Sequence, residues 1–318
     1  MQRARVMPDS TIEGTAAKRL PLPHPVKLRG ALYAMGCAIT FGGITSLAKV
    51  AYDHGASPQT VVWSRILSAA VLMGCWYALS SRKRKSTAAP PPSERVSVTI
   101  PVLVVAVSVA VMSLGYLGSV YFIPVSLSVL LFFTFPFVIL SLNYIIDRER
   151  VSPAQLLAFV IAFGGLALAL GPSWEALDWR GVALVLVGAV GAATMIMGSE
   201  RALRHISMPA LGTLSNAGGA VIAGVVMVAM GAFALPETGI GWLGFAGVCG
   251  CYLVGQVLLY SATHTIGSVH TSMFLNFEPL VSMFAAVILL GEQLSGMQYV
   301  GSALVLGAMA SASRSSAG

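Results

Sequence analysis

The sequence predicts an all-α integral membrane protein, with ten transmembrane helices arranged as two inverted five-helix repeats. Three observations predict it. Of its 318 residues, 56% are hydrophobic and 10% charged, with a mean hydropathy of +0.82, whereas a soluble domain carries roughly 25% charged residues. Apolar runs of about 17 to 25 residues recur along the chain, each long enough to cross a hydrocarbon core of about 30 Å. Finally, the same punctuation occurs twice at one shift: Pro136 falls on Pro279, Glu149 on Glu292, Ser152 on Ser295, Gln155 on Gln298 and Gly164 on Gly307. Polar and special residues in register inside matching apolar frames mark an internal duplication.

The front half of each copy repeats as well. Arg29-Gly30 matches Arg180-Gly181, His54 matches His205 and Pro58 matches Pro209. The shift is larger here, and the excess is the polar tract SRKRKSTAAPPPSER, which the second copy lacks. The expected organisation is a cytoplasmic disordered tail over residues 1–27, a first repeat over 28–171 and a second over 172–318.

The expected spans follow in order. The tail carries prolines and charges, without the apolar core of a cleavable signal. Spans one and two run over Leu28–Tyr52 and Gln59–Leu79, and the basic insertion follows them. Spans three and four, Val98–Gly118 and Ile123–Ile146, are separated by a tight turn. Span five, Pro153–Leu170, stops at Gly171-Pro172. The second copy gives Gly181–Leu203, Pro209–Leu235, Gly241–Ala262, Gly267–Leu290 and Gly296–Ala312.

Orientation follows from the basic residues. With both ends cytoplasmic, all 19 lysines and arginines except Lys49, Arg180 and Arg65 fall on the inner side, as the positive-inside rule requires. Five crossings per copy make the second copy enter from the opposite face. Inverted repeats suit alternating access, because exchanging the conformations of two similar halves converts an inward-open state into an outward-open one.

Other classes are set aside. The formal charge of +7 is distributed by topology and forms no nucleic-acid patch. Cys37, Cys75, Cys249 and Cys251 lie within apolar runs, in neither a disulfide nor a zinc pattern. The sequence contains no HExxH, GxSxG or P-loop, so an enzyme is not expected, and no cofactor or metal either.

Each half ends in a proline-kinked helix, a short turn carrying Glu, and a helix opening with Ser-x-x-Gln followed by glycines: FPFVILSLNYIIDRERVSPAQ and FEPLVSMFAAVILLGEQLSGMQ. This pattern resembles the EamA-type transporters of the drug/metabolite transporter superfamily, and Arg65 in SRILSAAVL resembles an arginine found early in their second helix. The resemblance implies export or exchange of a small metabolite, most plausibly an amino acid or related amphipathic compound, across the cell inner membrane. The alternative is a non-transporting scaffold or sensor that keeps the fold. The partners to expect are the substrate and membrane lipids, with homodimerisation left open; nucleic acid is not among them.

Glu278 is the deepest ionisable residue. Counted from Gly267, it lies roughly 16 Å into span nine, where a carboxylate is expensive unless it faces protein or water. It either binds a cation, amine or proton, or braces the kink beside Pro279. Pro136 and Pro279 each free the carbonyl four residues earlier, at Phe132 and Leu275, and a cavity can satisfy such groups. Arg65 either snorkels to the headgroups or offers a carboxylate site, and Asn216 occupies its place in the second copy. Asn276, Tyr116, Tyr260 and Gln256 supply hydrogen-bonding capacity along the pathway, with helix-to-helix bonding as their bland role.

Overall fold

A computed structural model of the chain describes residues 24–83, 92–119, 122–123, 125–148, 153–171, 178–290 and 295–315. Most of the expected tail, the middle of the basic insertion (84–91) and the pair Glu149 and Glu292 lie outside them. Every described element is helical. In chain order they are α1 (His24–Asp53), α2 (Pro58–Lys83), α3 (Pro92–Ser119), α4 (Val125–Phe132), α5 (Phe135–Leu142) with a π-helical turn at Asn143–Asp147, and α6 (Pro153–Leu170). The second copy gives α7 (Trp179–Ala202), α8 (Met208–Ala229), α9 (Gly239–Leu275), α10 (Glu278–Leu290) and α11 (Gly296–Ser315). Seven helical stretches are long and apolar enough to cross a membrane, and Leu156–Leu170 is a shorter apolar helix.

Local chemistry sets the helix ends. Prolines open α2, α3 and α6, where the missing N–H would have had no partner. Asp178 caps α7 by accepting from the Arg180 N–H at 2.8 Å. The repeated Ser-x-x-Gln is a capping box in the second copy: Ser295 N–H donates to Gln298 Oε1 at 2.7 Å, and Gln298 N–H donates to Ser295 Oγ at 3.4 Å, which satisfies two otherwise orphaned donors of α11.

Span seven is shorter than expected. The helix ends at Ala229, and Gly231 takes φ 60, a left-handed stop that glycine adopts without a Cβ penalty. Apolar composition alone had extended it to Leu235. The stretch after it is tied to the α1–α2 loop and the first turn of α2 instead. Glu237 N–H donates to His54 O at 2.9 Å, Ala234 N–H donates to Thr60 Oγ1 at 3.0 Å, and the hydroxyls of Ser57 and Thr60 both donate to Ala232 O.

The eighth and ninth spans follow one another without a loop. At Gly267 the backbone leaves helical geometry, with φ 79 and ψ 171. Along α1, Gly30 meets Ile266, Gly36 meets Leu258 and Gly244 meets Leu47, so this part of α9 runs antiparallel to α1. Gly42 then meets Val281, and Ser282 Oγ donates to Gly42 O at 3.0 Å. A straight continuation would carry Ser282 roughly 40 Å past the level of Gly255, so the chain turns back at Gly267. Glu200 of α7 secures the turn: its carboxylate accepts from Ser268 N–H at 2.8 Å and pairs with Arg204 at 3.3 Å.

The two copies are interleaved. The first helix of each packs on the third of the other, α1 on α9 and α7 on α3. Second packs on second and fifth on fifth, as α2 with α8 and α6 with α11. Both of these equivalent pairs are antiparallel. Trp63 meets Gly224 while Met73 meets Gly212, and Gly165 meets Leu304 while Ala169 meets Gly301. The α3–α7 crossing is close enough that a Cβ on Gly115 would stand 2.7 Å from Leu184 O and 2.8 Å from Gly188 N, a backbone contact that only small residues permit. Large apolar side chains such as Val228, Leu243 and Ile288 point outward, as a lipid-facing surface requires.

Candidate functional site

The two fourth helices are broken at the same place. α4 and α5 are separated by Phe133-Thr134, and α9 and α10 by Asn276-Phe277, which correspond in the repeat. Pro136 and Pro279 stand just after these breaks, both buried. Thr134 O accepts from Phe137 N–H at 2.9 Å, and Phe277 O accepts from Val281 N–H at 3.1 Å. The carbonyls that the prolines release, Phe132 O and Leu275 O, take no bond outside their own helices among the described residues.

Glu278 is the first residue of α10, where the helix dipole favours an anion. Its backbone lies against Gly42, at which a Cβ would come 2.8 Å from Glu278 O. Gly42 lies about 18 Å along α1 from Gly30, so Glu278 meets α1 well inside that helix. The side chain is half-buried, and among the described residues its carboxylate makes no hydrogen bond or ion pair. Arg65 and Tyr116 lie within range of its charge.

Arg65 is stacked in the interior. Its Cζ lies 5.0 Å from the centre of the Tyr252 ring, a cation–π contact, and its Nε is buried without a hydrogen-bond partner among the described residues. The same ring stacks on Phe41, with centres 6.1 Å apart and planes 19° apart. The Tyr252 hydroxyl donates to Asn216 Oδ1 at 3.0 Å and accepts from Gln256 Nε2 at 2.8 Å. Asn216 Nδ2 closes the chain on Gly212 O at 2.8 Å. Arg65 and Asn216, which correspond in the two copies, therefore meet on one tyrosine. Gln256 is 1% exposed, and its Oε1 has no donor among the described residues.

The remaining expected residues fall elsewhere. Tyr116 packs on Phe132, with ring centres 5.1 Å apart, and extends into a cluster with Phe133 and Phe135. Tyr260 is fully buried and bonds Ser215 Oγ at 3.1 Å, a helix-to-helix link between α9 and α8. Asn276 turns its amide back on Ser272 O and Met273 O and lines a small cavity with Phe159, Ala162 and Ala308. A groove of about 500 Å³ between α2 and α8, lined by Trp63, Leu67, Val71 and Val221, is apolar.

Sequence reasoning missed Tyr252 and Ser113. A tyrosine in an apolar span carries no mark that separates an interior clamp from an interfacial anchor, and its partners come from helices far apart in sequence. Ser113 could have been found from the repeat, since it falls at the place of Gln256.

Two interleaved copies of apolar helices, each with a broken fourth helix, define a multi-pass membrane protein of duplicated architecture. The model of the EamA-like transporter family matches residues 28–171 and again 179–314. The chain belongs to that family, whose members are transporters, and the resemblance read from the repeated motifs is borne out. Twenty-nine solved chains match. One, described as "Crystal structure of protein", is 14% identical, with a TM-score of 0.68 over 89% of this chain and 96% of its own; at that identity the likeness shows the fold. No curated protein matches.

Proposed function

We propose that the chain is a secondary transporter that works by alternating access, exporting or exchanging a small amphipathic metabolite, most plausibly an amino acid or related compound. Its ten crossings would form two inverted repeats, 28–171 and 172–318, in the cell inner membrane with both termini cytoplasmic. One observation carries this reading. Helices that correspond in the two copies, α2 with α8 and α6 with α11, lie antiparallel, the relation expected of halves inverted about an axis in the membrane plane. The reversal at Gly267 supports the count, since it makes separate crossings of α9 before the turn and of the broken helix after it.

The interior supports a passage for a polar solute. The Glu278 carboxylate, the released carbonyls at Phe132 and Leu275 and the Arg65 Nε take no hydrogen bond outside their own helices among the described residues, and irregular backbone within a membrane is tolerated where it lines a cavity. The test is counterflow in proteoliposomes with a pooled panel of labelled amino acids, nucleosides and sugars, read by mass spectrometry. A saturable signal for one class, lost in Glu278→Ala, is the expected result. Silence from folded and correctly inserted protein would transfer the case to a scaffold or sensor.

A further inference from the structure

We propose that Arg65, Gln256 and Ser113 form one ligand site on the axis relating the two copies, and that it takes a small molecule bearing a carboxylate and, a few bonds away, a hydrogen-bond donor. The proposal deepens the carrier reading and rests on it for its meaning in transport.

Three buried side-chain atoms in the described structure lack any hydrogen-bond partner: Arg65 Nε, Ser113 Oγ and Gln256 Oε1. Buried polar groups are almost always paired, and each one left over needs an explanation. Their placement supplies it. Ser113 and Gln256 correspond in the repeat, and Arg65 corresponds to Asn216, the residue that holds the hydroxyl of Tyr252. On α3, Val109, Ser113 and Tyr116 share one helical face. Val109 packs on Gly219, as does Ile66 beside Arg65, and Tyr116 lies within range of the Arg65 and Glu278 charges. Ser113 thus lies on the face of α3 turned toward α8 and the Ile66–Arg65 turn of α2, and its correspondence with Gln256 sets the two across the axis relating the copies.

The chemistry is complementary in a specific sense. Arg65 is a fixed cation whose guanidinium donates no hydrogen bond among the described residues. Its position is set by the Tyr252 face, so the fork is pre-organised for a planar carboxylate. Gln256 is held by its amide, which donates to Tyr252, so its carbonyl oxygen is fixed as an acceptor and demands a donor from the ligand. Ser113, at 3% exposure, can serve either role. Tyr252 is a positioning residue: it holds the cation by its face and the amide by its hydroxyl. The two copies have diverged here, since Val109 stands where the second copy has Tyr252, and Phe135 where it has Glu278. Charge and amide recognition thus belong to one wall of the site.

The test is thermal unfolding of the full chain in nanodiscs, titrated with L-leucine, L-serine and L-glutamate. Each is set against the amine lacking its carboxylate and the acid lacking its amino group. Stabilisation by at least one amino acid, with at least tenfold weaker binding of both truncated relatives, is expected. Arg65→Lys keeps the charge and removes the fork, and should weaken that binding at least tenfold. Gln256→Leu should abolish the preference for the amino acid over the acid lacking the amine. Tyr252→Phe, which leaves the stack intact, should loosen that same preference while sparing affinity for the acid. Absence of stabilisation by any panel member in monodisperse wild type, or binding within twofold of wild type in Arg65→Lys, would overturn the site. Binding without counterflow would count against transport and leave the site standing; counterflow indifferent to Arg65 and Gln256 would do the reverse.

Discussion

The guanidinium of Arg65 rests on the face of Tyr252, 5.0 Å from the ring centre, and the hydroxyl of the same tyrosine holds Asn216, the counterpart of Arg65 in the second copy. One aromatic side chain thus joins α2, α8 and α9 at the centre of the molecule. Tyr252→Phe should lower stability by about 1–3 kcal/mol, because it leaves Asn216 Oδ1 and Gln256 Nε2 buried and unpaired. Tyr252→Leu should cost more, since the Phe41 and Arg65 contacts are lost as well. Thermal unfolding in detergent would rank the two, and equal effects would show that the hydroxyl chain contributes nothing beyond the ring.

Glu278→Gln should leave folding unchanged, because the carboxylate has no hydrogen-bonding partner among the described residues to lose. If Glu278 couples transport to protons, the substitution should abolish pH-driven accumulation and leave passive exchange. Paired uptake assays with and without a pH gradient decide the matter; retention of accumulation would discard the coupling role.

Gly115→Ala and Gly43→Ala should part in sign. A methyl at Gly115 meets the backbone of α7 at 2.7 Å, whereas nothing lies within 4 Å of one at Gly43. The first should destabilise by about 1–3 kcal/mol through overpacking. The second should be neutral or gain up to about 1 kcal/mol from helix propensity. Melting temperatures of the two purified variants provide the comparison.

Glu200→Ala should loosen the turn at Gly267. The carboxylate is 14% exposed and accepts from Ser268 N–H at the start of the returning helix, so its loss should cost about 1 kcal/mol. Hydrogen exchange should rise over 268–275 while α1 stays protected. Unchanged protection there would mean that packing alone holds the turn.

Much of the fold was legible because its signals are periodic or duplicated. Pro136 and Pro279 in register foretold two breaks at one place, and the Ser295–Gln298 spacing foretold a helix start. The end of α8 was misjudged because apolar residues continue past Gly231, and only the backbone turn there stops the helix. The site was legible in part. Arg65, Gln256 and Glu278 are conspicuous as polar residues in apolar spans, while Asn276 and Tyr260 are equally conspicuous and spend their polar groups on bonds to α9 and α8. Convergence on Tyr252 depends on the antiparallel docking of helices from different copies, which no local pattern encodes.

The interleaving of the copies bears on how the protein is made. The first helix finds its main packing surface on α9, and Gly42 receives its bond from a residue 240 positions downstream. During synthesis the close-packing faces of the leading half, Gly42 and Gly115 among them, lack their partners until the trailing half has been made. Assembly is therefore completed only when the trailing half has been inserted, and each half acts as the template on which the other matures.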